Sequence, residues 1–281
     1  MRALTALAAC FALLLVAGSL TLGLSWRVAL SNALVAGGLF AAMQATRANG
    51  WRLVWILAAL YGGIGPLNIA LEAMFFHIMP MPTTLQFPAR GLTLACAASL
   101  VVVAVAGRLR LTPDARTRNE AGSLARGWPW RLAAVALCYV VLYFMAGILV
   151  FPYVAHFYAG RPMPSPRLVV LMQLGRGLVY ALVMLPFSRS MVGRRWRAGL
   201  VLGLCLSVFG GIAPLLLPNE YLPAEILPFH MIEVGISNFL FGVAAALLLV
   251  GRVRAPSPSP HTQLPRSHPP ALYVTPPEGC S

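Results

Sequence analysis

The stretch Leu53-Val54-Trp55-Ile56-Leu57-Ala58-Ala59-Leu60-Tyr61-Gly62-Gly63-Ile64-Gly65-Pro66-Leu67-Asn68-Ile69-Ala70-Leu71-Glu72 has one charge, Glu72, at its very end, apart from the preceding Arg52. About 20 apolar residues in a helix cross the ~30 Å hydrocarbon core of a bilayer, and a helix closes its backbone hydrogen bonds within that one segment. Runs of the same kind recur on both sides. Taken between polar and Pro-rich breaks, they predict helices near 3–24, 28–46, 52–76, 88–107, 131–153, 167–187, 197–217 and 228–250. The 281-residue chain is 59% hydrophobic and 10% charged, with a mean hydropathy of +0.79, which excludes a water-soluble domain. The fold class is an all-α polytopic membrane protein with eight transmembrane helices. The run Leu7-Ala8-Ala9-Cys10 resembles a lipoprotein cleavage site, but the apolar residues continue to Leu24, so a first spanning helix is expected there.

The quoted stretch returns later in the chain. Gly62-Gly63-Ile64-Gly65-Pro66-Leu67 followed by Glu72 matches Gly210-Gly211-Ile212-Ala213-Pro214-Leu215 followed by Glu220, with six identities in eleven positions at an offset of 148. Gly91 to Arg110 also aligns without gaps on Gly235 to Arg254, each ending Gly-Arg-x-Arg. Helices 3 and 4 thus correspond to helices 7 and 8. Four helices per unit bring the second copy into the membrane in the same direction, so the expected architecture is two parallel four-helix repeats. Residues 1–111 form the first repeat, 112–130 a polar cytoplasmic linker, and 131–254 the second repeat. Residues 255–281 hold eight prolines and form a disordered tail, either passive or offering a Pro-rich ligand to a protein partner.

All 21 basic residues are Arg, against seven acids, and the excess of +14 sits in short connections between apolar segments. Alternate connections hold 16 Arg on one side and four on the other, with Arg176 inside the sixth span. By the positive-inside rule this places both termini in the cytoplasm of a bacterial-type inner membrane. The same placement explains the excess of charge without nucleic acid. Four of the five cysteines lie inside apolar runs with no metal-ligand spacing, and neither H-x-x-x-H nor G-x-S-x-G occurs. No cofactor or metal is expected.

Ionisable groups in a spanning segment are costly unless paired or wetted. Here they gather toward the outer ends of the helices: Glu72, Arg90, Glu220, His230 and Glu233, with Arg176 deeper in helix 6. Helical spacing puts His230, Glu233 and Ser237 on one stripe of helix 8 and Gln173, Arg176 and Tyr180 on one stripe of helix 6. Helix 4 carries Gln86, Arg90 and Thr93, and helix 2 carries Arg27 and Ser31. The expectation is a polar cavity open to the outside, with interhelical ion pairs that merely hold the bundle as the alternative. Arg176 is expected to contact Glu233 or another carboxylate of this group. The leading functional reading is binding or transport of a small anionic solute or lipid head group at Glu72, Arg90, Arg176, Glu220, His230 and Glu233. The alternatives are a membrane-embedded enzyme using Glu/His acid–base chemistry and a non-catalytic membrane subunit.

Overall fold

The computed structural model describes residues 2–76, 80–110, 128–159, 164–191, 195–218 and 222–249. Among them are eight helices long and apolar enough to cross a membrane. They are α1 (Arg2–Leu22), α2 (Trp26–Gln44), α3 (Gly50–Phe75), α4 (Met81–Val105), α5 (Trp128–Tyr158), α6 (Pro166–Ser190), α7 (Arg195–Leu216) and α8 (Leu227–Leu249). The only extended pairing among the described residues is an isolated bridge between Thr46 and Met191.

Two helices are longer than their apolar runs. α4 starts at Met81, because a proline in the first turn forfeits no helical bond, and the Thr84 amide and hydroxyl both return to the Pro80 carbonyl at 3.0 and 3.1 Å. α5 already includes Trp128 and Trp130, which the sequence reading gives to the linker. Most of that linker, the whole Pro-rich tail, His77 and Glu220 lie outside the described residues.

The surface suits lipid. Leu20 is 82% exposed and Ile148 and Leu149 72%, and all six tryptophans are exposed, five of them within a turn of a helix end and Trp55 just inside, as in an interfacial aromatic belt. Between the helices, packing takes over from hydrophobic drive. Within residues 2–110, α1 packs on α2 and α4, and α3 packs on α4. Within 128–249 the same order holds, with α5 on α6 and α8, and α7 on α8. Across the two sets α2 meets α7 and α3 meets α6, which closes a ring of eight helices.

In the middle of this ring α3 and α7 each pass through a π turn, at Gly63–Leu67 and at Val208–Ile212. Pro66 and Pro214 have no N–H and would clash with the carbonyl four residues earlier, so the regular helix is interrupted at or beside each of these turns. The two π turns pack on each other. A Cβ on Gly65 would lie 2.8 Å from the Phe209 carbonyl oxygen, and the Tyr61 and Phe209 rings meet at 5.1 Å. Gly91 of α4 is also required, since any side chain there would overlap Pro66.

At the end of the bundle opposite Glu72, Arg108 turns back onto the α2–α3 connection. It donates to the carbonyls of Met43, Thr46 and Ala48 and to Asn49 Oδ1, so one cation ties the last turn of α2 to the connection that follows it. Arg131 does the same for α8 through the Leu248 carbonyl, at 3.1 Å.

Candidate functional site

Arg176 lies in the middle of α6 with 6% of its surface exposed, and three helices supply its partners. Its Nη2 meets the Glu72 carboxylate of α3 at 3.0 Å. Its Nε donates to Asn68 Oδ1, also on α3, and its Nη1 donates to Gln173 Oε1 one turn earlier on α6, both at 3.3 Å. The guanidinium carbon lies 5.7 Å from the Tyr139 ring of α5, and Tyr139 packs against Tyr180 with ring centroids 5.0 Å apart. A buried Arg is tolerated because charge, planar donors and a π face are all matched.

The cluster is tied to the helix break beneath it. Asn68 Nδ2 donates to the Gly63 carbonyl at 2.9 Å, inside the π turn of α3. A hydrogen-bonded chain therefore runs from Arg176 through Asn68 to the widened backbone. On the other side, Asn238 of α8 donates to the Leu206 carbonyl, just before the π turn of α7, at 3.4 Å.

His230 and Glu233 form a second pair on α8, with Nδ1 and Oε2 3.0 Å apart. Glu233 fits beside Gly147 of α5, where a Cβ would sit 3.8 Å from its Oε1. α8 packs on both α5 and α6, so this pair and the Arg176 pair stand on neighbouring helices. The described part of the cluster thus holds two carboxylates, one guanidinium and one imidazole.

Four of the six sequence-derived site residues are engaged in two ion pairs, Glu72 with Arg176 and Glu233 with His230. The partner of Arg176 is Glu72, with Glu233 engaged by His230. Arg90 lies apart. It is exposed on α4 and donates to Gln86 at 3.2 Å, while Thr93 bonds the Ala89 carbonyl of its own helix. The polar stripe of α4 therefore satisfies itself at the surface and does not line an interior space. The inward stripe of α6 is buried, and an open groove between α7 and α8 at Ile212, Ile232, Gly235, Ile236 and Phe239 is apolar. His156 and Glu225 are 3.7 Å apart and both exposed, a surface pair of little energetic weight.

Asn68 and Tyr139 are absent from the sequence-derived site. Asn68 precedes Glu72 by four residues, the spacing that shares a helix face, so its signal was present. Tyr139 sits in an unbroken apolar run, where nothing separates it from ordinary core. Neither a family model, nor a curated protein, nor a solved structure matches this chain.

Proposed function

We propose that this protein binds, and moves across the membrane, a small anionic solute or lipid head group that reaches the Arg176 cluster from the outer side. The observation that carries this reading is a guanidinium buried in mid-helix whose counter-ion comes from a different helix and is itself partly exposed. Structural ion pairs need no exposed member; a site that exchanges its anion does. Discontinuous helices at such a position are a recurring feature of transporters, and here the break in α3 is hydrogen-bonded to Arg176 through Asn68.

The repeated order of helix neighbours, the paired π turns and the contact of Tyr61 with Phe209, its counterpart at an offset of 148, support two parallel four-helix repeats about an axis at that contact. The distribution of Arg supports an inner-membrane topology with both termini in the cytoplasm. Glu220, the counterpart of Glu72, belongs to this reading as the acid of the second repeat.

Proteoliposomes holding the full chain should take up labelled small organic acids or glycerol phosphate faster than empty vesicles, and Arg176→Gln should reduce that uptake at least tenfold. Uptake that is unchanged in Arg176→Gln would end the reading. The His230–Glu233 pair favours a second one, acid–base catalysis, which would appear as substrate turnover in detergent with no gradient present.

A further inference from the structure

We infer that the anion accepted at this site is a carboxylate, that it takes the place of Glu72 on Arg176, and that Gln173 supplies a second donor to it. The inference rests on the solute-binding reading and narrows it to a ligand class.

The geometry separates a fixed cation from a detachable anion. Arg176 is held by Asn68 and Gln173 and its side chain is 7% exposed, whereas the Glu72 side chain is 31% exposed. Glu72 is thus the member with room to move away. What it leaves behind is a site already shaped to a carboxylate, because a carboxylate occupies it now.

The second donor is visible as an anomaly. Gln173 has no exposed surface, and its Oε1 accepts from Arg176, which orients the amide and leaves Nε2 buried with no acceptor. Buried donors are almost always satisfied, so an orphan beside a guanidinium points to an acceptor that arrives from outside. A carboxylate has the two oxygens this requires, one for Arg176 and one for Gln173.

Charge balance sets the route. A ligand entering as the neutral acid gives its proton to the Glu72 carboxylate: the O–H bond of the ligand breaks, an O–H bond forms on Glu72, and the ligand carboxylate takes the guanidinium. The net charge of the site is unchanged, so no unpaired ion is buried. The other titratable groups around the pair are Tyr139, whose ring faces Arg176, its neighbours Tyr143 and Tyr180, and the His230–Glu233 pair of α8, whose members are bonded to each other.

The test is equilibrium binding of labelled butyrate to the full chain in detergent, with butyramide and inorganic phosphate as controls. In the wild type only the neutral acid binds, so between pH 5.5 and 7.5, above an acid pKa close to the ~4.3 of a Glu side chain, apparent affinity should fall about tenfold per pH unit. Glu72→Gln, which has no charge to displace, should bind the butyrate anion directly, more tightly at pH 7.5 and with a nearly flat pH profile. Gln173→Leu in that background should weaken butyrate about tenfold, the loss of one hydrogen bond to a charged group. Glu72→Ser is the second variant should Glu72→Gln fail to fold. Butyrate binding no better than butyramide in both Glu72 variants, phosphate binding as tight as butyrate, or an unchanged affinity in Gln173→Leu would each overturn the inference. If the wild type still moves another anion in proteoliposomes, the transport reading survives that failure.

Discussion

The two members of the Arg176–Glu72 pair should not be equally costly to lose. Glu72→Leu leaves a guanidinium at 6% exposure without its counter-ion, and stranding a buried charge costs about 3–5 kcal/mol. Arg176→Met leaves a carboxylate that already reaches the surface, with an apolar side chain of similar length in the gap, and should cost no more than about 2 kcal/mol. Thermal midpoints of the two variants in the same detergent check the order, and equal losses would mean that Glu72 is as enclosed as its partner. Asn68→Leu should fall between them, because it removes the acceptor of Arg176 Nε and the donor to Gly63 together. At this scale periodicity was informative: the stripes Gln173-Arg176-Tyr180 and His230-Glu233 do face inward. Spacing along one helix cannot say which other helix stands opposite, so it put Glu233 first as the partner of Arg176, where the structure has Glu72.

For the helices, the repeated Gly-Gly-Ile-x-Pro-Leu letters announced a break in α3 and in α7 but not its form. Proline alone produces a kink. A π turn is a matter of tertiary fit, here the close approach of the Gly65 backbone to the Phe209 carbonyl. Gly65→Val should therefore destabilise by about 1–3 kcal/mol, since a backbone oxygen cannot give way as a side chain can. Gly37→Ala in α2 is the contrasting case. Nothing lies within 4 Å of its added Cβ, and the change should be neutral or stabilise by up to ~1 kcal/mol through helix propensity. The same apolar letters misplaced the start of α4, because Pro82 and Pro88 look like punctuation although the first lies in a turn that tolerates it.

At the scale of the whole molecule, the eight-span count and the distribution of Arg lead to a topology that can be read directly. Reporter fusions after Arg118 and after Arg254 should report cytoplasm, and fusions near Met81 and near Asn219 should report the outside. Opposite locations for the two termini would refute an even number of crossings. The class of the protein was legible from composition because apolar runs of about 20 residues match a spanning helix and are twice the length of a spanning strand. The ring order of helices was not legible, since contacts such as α2 with α7 depend on faces that match in shape and leave no periodic trace.

The bonds between α3 and α6 also set an order of events during synthesis. Asn68 and Arg176 are 108 residues apart, so at ~5–20 residues per second the acceptor side waits roughly 5–20 s before its cation is made. A lone Arg at mid-helix costs about 2.5–3.5 kcal/mol on insertion scales, and α6 presented alone to the translocon should enter the membrane poorly. With α3 already in place, Glu72 and Asn68 act as the receiving partner. Insertion of α6 should recover in a chain that carries α3 and fall again when Glu72 and Asn68 are both replaced by Leu. The Arg176–Glu72 pair would then also be a checkpoint of assembly, a joint that closes only if the first half of the protein has been built.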